Sequence, residues 1–184
     1  MHQFRNVNDG FREILRGISS GSILTEEVDS RNGPCLACTY PQMWMFTEPR
    51  ERVLFNAARN ANPFFHVFES MWMLAGSDDV KSLAHYCKQM EQYSDDGKTI
   101  NDAYGHRWIC WFEIDQLDFI IKLLKSDPTS RRAVLSMWDP AFDLLDAVQK
   151  PECKALPCNT HCYLSIKDGA LDMMVCNRSN DLLW

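Results

Sequence analysis

The sequence lacks several features that would place a chain in a specialised class. A membrane-spanning helix needs about eighteen consecutive apolar residues, and no stretch of this sequence approaches that length. The first residues, Met1-His2-Gln3-Phe4-Arg5, contain no apolar core of a secretory signal. A glycine-rich phosphate loop, internal repeats and low-complexity segments are also missing. These absences predict a cytoplasmic protein that does not enter a membrane.

An excess of basic charge is missing too. Lysine and arginine total 19 against 25 aspartate and glutamate, so the formal net charge is -6. A general nucleic-acid binder normally carries a basic face, and we therefore expect no nucleic-acid partner. The 184 residues, 46% of them hydrophobic, suit one globular domain spanning residues 1–184. A small anion held by a few local arginines stays compatible with this balance.

Cysteine, in contrast, is abundant. Eight cysteines without a secretory signal indicate free thiols in a reducing compartment. Zinc is the competing interpretation, with Cys35-x-x-Cys38 as one half-site and a second half-site drawn from Cys153, Cys158, His161 and Cys162. The halves lack the regular pairing of a zinc ribbon, and the second lies in strand-like sequence. We expect no metal, and a small zinc-stabilised interaction domain remains the alternative.

Periodicity predicts an α+β fold with a mixed, largely antiparallel sheet packed by helices. Asn8 is a plausible cap of the first helix, and Gly76 ends the strongly apolar second one. The predicted helices are 8–19, 63–75, 79–91 and 115–126, and the predicted strands are 35–46, 131–138, 158–166 and 170–178.

A predicted hairpin near the end of the chain brings chemically active side chains together. Asp168-Gly169 is a preferred dipeptide for a two-residue turn. With that turn, Cys158 faces Ser179 and Asn159 faces Arg178, unless a bulge shifts the pairing. A nearby cation stabilises the nucleophilic thiolate, and an arginine with a serine commonly binds phosphate. The pattern indicates a cysteine nucleophile aimed at a phosphorylated small molecule, whereas a buried apolar cysteine is the plain alternative.

Further polar residues stand out in their segments. Arg31 lies in a polar turn, where a solvated surface role is the simple interpretation. Glu69 lies inside the strongly apolar helix. Its position on the helix favours a solvent-exposed side chain. The alternative is partial burial with a raised pKa suited to proton transfer. Arg131 and Arg132 enter a strand and therefore point to opposite faces. The segment 101–108 mixes aromatic and polar residues, as loops that line a ligand often do.

Taken together, five sequence blocks resemble the thymidylate synthases and their pyrimidine hydroxymethylase relatives, from about residue 8 to the last residue. The order and spacing of all five are specific, although each block alone is a weak signal. The blocks are Phe68-Glu69-Ser70-Met71-Trp72-Met73-Leu74-Ala75-Gly76, Ala103-Tyr104-Gly105-His106-Arg107-Trp108, Ser130-Arg131-Arg132 with Trp138, Leu156-Pro157-Cys158, and Asn177-Arg178-Ser179-Asn180-Asp181.

The resemblance implies a covalent mechanism on a pyrimidine nucleotide. Cys158 matches the nucleophile whose thiolate adds to carbon 6, after which carbon 5 attacks the one-carbon unit of 5,10-methylenetetrahydrofolate, the co-substrate. Glu69 matches the glutamate that organises water and moves protons. Tyr104 matches the tyrosine of the active-site wall.

The same resemblance implies the substrate contacts and a partner. dUMP or dCMP is the implied nucleotide, and a homodimer is implied in which two adjacent arginines reach into the partner's site. Asn159, which stands where the synthases have histidine, is included among the substrate-binding candidates. Those candidates are Arg31, Arg178 and Ser179 for the phosphate, Arg131 and Arg132 across the dimer, Asp181 for the ring through its backbone, and Asn159.

Departures from the synthase pattern keep the second half of the reaction open. Asn177 replaces the usual glutamine before the arginine, and segment 84–103 has no tryptophan. A synthase completes a methyl group by hydride transfer from folate, whereas a hydroxymethylase lets water capture the methylene. We place the synthase, which converts dUMP to dTMP, first and a dUMP or dCMP hydroxymethylase second. A catalytically incomplete nucleotide-binding or dimerisation remnant is the alternative from another class.

The end of the chain, Asp181-Leu182-Leu183-Trp184, falls inside a family motif. The resemblance implies that about another third or more of the family domain would follow, with the residue that selects uracil or cytosine. The expectation is therefore a thymidylate-synthase-like domain that lacks its C-terminal part and has little or no activity alone.

Overall fold

The computed structural model describes residues 1–30, 33–57 and 59–182. Its contacts divide the chain into two compact units, one of residues 1–63 with Leu182 and the other of residues 64–181. Helices combine with mostly antiparallel strand pairs, which is the α+β class that the sequence predicts. Within these described ranges, no helix is both long and apolar enough to cross a membrane.

The first unit contains one helix and two small strand pairs. Asn6, rather than Asn8, caps the helix: its side-chain oxygen accepts hydrogen bonds from the backbone N–H groups of Asn8 and Asp9 at 3.0 and 3.1 Å. Gly21 ends it in the left-handed conformation at φ 75°. The elements are β1 (His2–Phe4) parallel to β4 (Trp44–Phe46), α1 (Val7–Ser20), and the antiparallel pair β2 (Thr25–Ser30) and β3 (Gly33–Cys38).

The predicted single strand 35–46 is wrong. β3 ends at Cys38 and pairs back onto β2, and β4 begins only at Trp44. Pro41 lies in the gap, and proline has no backbone N–H to donate to a strand partner. The alternating pattern on either side of the gap therefore belongs to two different pairings.

The second unit holds the other helices and a three-stranded sheet. The predicted helix 79–91 is two elements, because the backbone of Cys87 is extended. The predicted strand 131–138 shortens to three residues, and the helix after it has no counterpart among the predictions. The elements are α2 (Pro63–Leu74), α3 (Val80–Tyr86), a 3₁₀ helix (Lys88–Tyr93), α4 (Tyr104–His106), a π-helix (Arg107–Trp111), α5 (Gln116–Ser126), β5 (Val134–Ser136), α6 (Asp143–Gln149), β6 (Asn159–Lys167) and β7 (Ala170–Asn177).

Two apolar clusters support these elements. One surrounds the inner side of α2, with Phe65, Trp72, Val80, Leu83, Ile100, Ala103 and Ala155. The other lies between α5 and the sheet, with Ile120, Leu124, Ala133, Leu135, Met137 and Cys162. Burial of Cys162 there raises its pKa to about 11, so this thiol behaves as an apolar core residue.

Gly105 lets α4 approach the end of α2 closely. A Cβ atom at this position would overlap the backbone carbonyl of Met73. Only glycine leaves room for such a backbone contact. Gly105 thus fixes where its neighbour Tyr104 lies in the second unit.

Candidate active site

Cys158 immediately precedes β6, the middle strand of the β5–β6–β7 sheet. The turn at Asp168-Gly169 is confirmed, since both residues have positive φ (51° and 76°) as a type I′ turn requires. The antiparallel pairing follows the predicted register from this turn to His161 opposite Cys176.

A bulge between Asn159 and His161 then shifts the register by one residue. The predicted Asn159–Arg178 and Cys158–Ser179 pairings are therefore wrong, because Asn159 faces Asn177 instead. Beyond it, the backbone N–H of Arg178 donates to the carbonyl oxygen of Cys158 at 2.9 Å. The shift places the arginine directly opposite the candidate nucleophile.

The Arg178 guanidinium is held against the backbone just before Cys158. Its Nε donates to the carbonyl oxygen of Pro157 at 2.9 Å, and its Nη2 donates to that of Leu156 at 3.0 Å. The guanidinium carbon also lies 5.7 Å from the ring centroid of Trp138. An arginine has five N–H donors, so three remain for a ligand. Within the described residues Arg178 forms no ion pair with a carboxylate.

Tyr104 lies on the other side of Cys158. Its phenolic oxygen accepts hydrogen bonds from the backbone N–H groups of Cys158 at 3.2 Å and of Asn159 at 3.4 Å. Burial raises the pKa of Tyr104 above its ordinary value. The phenol therefore stays protonated near neutral pH, and its own O–H remains a donor for a bound molecule.

A buried charge network holds the segment that carries Tyr104. Arg107 and Asp143 are both 0% exposed and form two parallel hydrogen bonds of 2.7 and 2.8 Å. Arg107 also donates to the carbonyl oxygens of Asn101 and Met137, and it lies 4.2 Å from the ring centroid of Trp111. This arginine ties the Tyr104 segment to the end of β5 and to α6. The π-helix at Arg107–Trp111 belongs to a class often found at functional sites.

Glu69 is half-buried, which corrects the preference for a wet helix face. Its side chain is 35% exposed, and burial raises its pKa. His66 Nδ1, one helical turn away, lies 4.0 Å from a carboxylate oxygen. Among the described residues, no hydrogen bond joins Glu69 to Cys158 or to Tyr104, which are themselves joined through the Cys158 N–H.

Arg131 and Arg132 are both exposed at the rim of an open surface pocket of about 650 Å³. Asp127, Thr129, Ser130 and Tyr163 complete the lining. The carbonyl oxygen of Arg131 accepts a hydrogen bond from the Tyr163 hydroxyl at 3.1 Å. In the described part of the chain neither guanidinium forms an ion pair, so both can meet an external anion.

The remaining candidates have weaker structural support. Arg31 lies outside the described residues, Asn159 is half-buried beside Cys158, and Ser179 and Asp181 are exposed after β7. No cluster of three or more potential metal ligands occurs among residues 1–30, 33–57 and 59–182. Of the proposed zinc ligands, Cys153 contacts Asp95 at 3.3 Å and Cys162 lies in the core.

Sequence reasoning missed three contributors to this site. The carbonyl oxygen of Thr160 at the bulge accepts from the backbone N–H groups of both Met137 and Trp138, each at 3.0 Å. Trp138 faces Arg178, although the sequence marked it only as part of a motif. Asp143 gave no signal, because an isolated aspartate at the start of a short helix looks like a surface residue.

Comparisons with known proteins agree on one family. The family model for thymidylate synthase matches residues 34–184. A deoxyuridylate hydroxymethyltransferase of Pseudomonas phage M6 is 47% identical over 98% of this chain and 49% of its own length. Proteins with the same description are 40% identical in Bacillus phage SP01 and 32% identical in Delftia phage PhiW-14, covering 94% and 93% of this chain and 46% and 48% of their own lengths.

A solved structure supports the fold. Thymidylate synthase from T4 phage superimposes with a TM-score of 0.51 at 24% identity, over 64% of this chain and 44% of that one. The chain spans about half the length of the curated relatives it matches. The family match covers most of the chain, and the sequence blocks and the fold agree with it. The chain belongs to the thymidylate synthase family.

Proposed function

We propose that this chain supplies the nucleophile and part of the phosphate site of a deoxyuridylate hydroxymethyltransferase. The observation that carries the proposal is at the residue before β6: the Tyr104 hydroxyl accepts the N–H of Cys158, and the Arg178 guanidinium donates to the carbonyl oxygen of Pro157 in the same peptide bond. The three similar phage proteins described as hydroxymethyltransferases favour this activity over the thymidylate synthase that the sequence alone placed first. dUMP is the proposed substrate, with methylenetetrahydrofolate as the source of the one-carbon unit.

The chemistry follows from a cysteine nucleophile and a protonated phenol. The Cys158 sulfur adds to carbon 6 of the pyrimidine, and the electron pair of the 5,6 double bond makes carbon 5 nucleophilic. After carbon 5 takes up the one-carbon unit and loses its proton, the carbon–nitrogen bond to tetrahydrofolate breaks and leaves an exocyclic methylene. Water adds to this methylene, and the sulfur leaves carbon 6. The products are 5-hydroxymethyl-dUMP and tetrahydrofolate. The Tyr104 O–H donates to the bound nucleotide, and Glu69, whose pKa is raised, moves protons through water.

Several arginines would bind the nucleotide phosphate. Arg178 keeps three unused N–H donors, and charge-assisted hydrogen bonds to phosphate are strong. The exposed Arg131 and Arg132 support a homodimer in which each subunit lends this pair to the other's site. Arg31, Ser179, Asp181 and Asn159 stay proposed substrate contacts, and a cytoplasmic location stays a prediction.

The experiment joins this chain to the half of the Pseudomonas phage M6 relative that it does not match. The chimera is incubated with 5-fluoro-dUMP and methylenetetrahydrofolate, and intact mass spectrometry measures covalent adducts. We expect one adduct per chain, with the nucleotide attached at Cys158, and none in Cys158→Ser. A folded chimera without an adduct would contradict the proposal, and nucleotide binding without an adduct would favour a non-catalytic remnant.

Thymidylate synthase is the second candidate, since the family model and the T4 structure carry that description. Product analysis with dUMP separates the two activities. A hydroxymethyltransferase releases 5-hydroxymethyl-dUMP with tetrahydrofolate, whereas a synthase releases dTMP with dihydrofolate. The dCMP variant of the reaction is tested by replacing dUMP with dCMP in the same assay.

A further inference from the structure

Helix α2 is apolar on two opposite sides. Its inner side packs Phe65 and Trp72 into the core of the second unit. Its outer side carries four large apolar side chains at spacings of three, four and three residues, which align on one helical face. These four residues, called the α2 outer face below, are Phe64, Val67, Met71 and Leu74, and they are 81%, 63%, 65% and 66% exposed.

No charged side chain interrupts the α2 outer face. The two ionisable residues of this helix, His66 and Glu69, lie on its other sides at 100° per residue. Helix α5 shows the contrast: its exposed Phe119 lies beneath Lys122, which pairs with Asp118. A mixed surface of that kind suits water, whereas a helix that is apolar all round is normally buried.

The family supplies a suitable occupant for this face. The matched relatives are about twice as long as the part that this chain covers, with shares of 49%, 46% and 48%. These relatives therefore contain about as much chain again that this chain does not match. An apolar helix face that is exposed in one part of a family member is the kind of surface against which another part packs.

We propose that the α2 outer face is the docking surface for the half of these relatives that this chain does not match, whether that half is joined to this chain or is a separate polypeptide. Phe64, Val67, Met71 and Leu74 would bind apolar side chains of that half. Since Glu69 lies on the same helix, docking would also hold the proposed proton-transfer residue in place. The inference rests on family membership and relative length, not on the chemistry proposed for Cys158.

The test compares Val67→Glu/Met71→Glu in two contexts. In the 184-residue chain both positions are exposed, so we expect the melting temperature to change by less than about 2 °C. In the chimera with the unmatched half of the M6 relative, two buried unpaired carboxylates should lower the melting temperature by more than about 10 °C or prevent folding. Val67→Ile/Met71→Leu should keep the parental value in both contexts, because it preserves the apolar surface.

A matched control places the same charges on α5. Phe119→Glu/Ile121→Glu substitutes side chains that are 58% and 52% exposed, and should cause equally small shifts in both contexts. Equal effects of the α2 pair in the two contexts would overturn the proposal. So would equally large chimera-specific losses from both pairs, because the docking surface would then not be specific to α2.

Separate expression adds a second measurement. A tagged copy of the unmatched half of the M6 relative should copurify with the 184-residue chain and not with Val67→Glu/Met71→Glu. A parental chain that neither captures that half nor folds when joined to it would overturn the proposal. So would a dimer of the 184-residue chain that this variant dissociates, since the occupant would then be a second copy. Docking without a 5-fluoro-dUMP adduct would refute only the proposed chemistry.

Discussion

Two arginines of the second unit carry the same charge in opposite surroundings. Arg107 is fully buried, uses four of its five donors and is neutralised by Asp143. Arg178 is exposed and uses two donors on backbone carbonyls, with no carboxylate partner among the described residues. The charge of Arg107 is neutralised inside the fold, whereas the charge of Arg178 stays available for an anionic ligand. The difference separates a structural arginine from a proposed binding arginine.

The largest expected effect comes from breaking the buried pair. Arg107→Leu leaves Asp143 as an uncompensated buried charge, which should cost about 3–5 kcal/mol of unfolding free energy. Urea denaturation of the 184-residue chain measures this loss. Lys122→Met, which removes an exposed ion pair with Asp118, is the control and should change stability by less than about 0.5 kcal/mol. Similar losses from both variants would remove the proposed contrast between buried and exposed charge.

Removal of the Arg178 guanidinium should affect binding more than folding. Arg178→Met loses two hydrogen bonds to carbonyls near the surface, at a cost of about 1–2 kcal/mol. In the chimera, the thermal stabilisation that dUMP gives should disappear, because the proposed phosphate contact is gone. Arg178→Lys keeps the positive charge but not the planar guanidinium, and it should retain part of the thermal stabilisation by dUMP. If dUMP stabilises Arg178→Met as strongly as the parent, Arg178 is structural in the same sense as Arg107.

Tyr104→Phe tests whether the hydroxyl that contacts Cys158 has a structural role or a role in the proposed chemistry. The variant leaves the N–H groups of Cys158 and Asn159 without their acceptor, which should cost about 1–2 kcal/mol. The rate of adduct formation in the chimera should fall by more than this loss of stability explains, because the phenolic O–H that would donate to the nucleotide is absent. Tyr86→Phe, a half-exposed tyrosine of α3, is the control and should change neither quantity. An unchanged adduct rate in Tyr104→Phe would show that its hydroxyl only supports the backbone.

The smallest expected effect is the pH dependence of stability at Glu69. Because burial raises its pKa in the folded state, ionisation is easier in the unfolded chain. The parent should therefore lose stability relative to Glu69→Gln as the pH rises above the ordinary value near 4.5. At pH 7 the variant should melt slightly higher than the parent, and below pH 4 the two melting temperatures should coincide. Melting curves between pH 3.5 and 7.5 measure this; a variant less stable than the parent at pH 7 would reverse the assigned direction.

Local rules predicted much of this structure. Asp168-Gly169 placed the turn, and the two-residue period placed β6 and β7 within a residue of their observed bounds. These rules did not predict the bulge near Asn159. Its extra residue depends on the Thr160 carbonyl oxygen, which accepts hydrogen bonds from two backbone N–H groups after β5. That contact joins residues distant in sequence, and no local pattern reveals it. The shift mattered, since it moved Arg178 opposite Cys158.

In the candidate site, too, local sequence predicted some features and tertiary contacts determined the others. Motif resemblance named Cys158, Tyr104 and Glu69, but their surroundings depend on tertiary contacts. The partial burial of Glu69 follows from how α2 packs, which a helical wheel cannot decide when most of the helix is apolar. The Arg107–Asp143 pair was invisible for a related reason: a charged residue at the start of a short helix is usually solvated.

The most direct test of the account is the mass of the chimera after incubation with 5-fluoro-dUMP and methylenetetrahydrofolate. The account predicts one covalent adduct per chain, with the nucleotide mapped by peptide analysis to Cys158 and lost in Cys158→Ser. An adduct at another cysteine, or its persistence in Cys158→Ser, would contradict the claim that this thiol is the nucleophile.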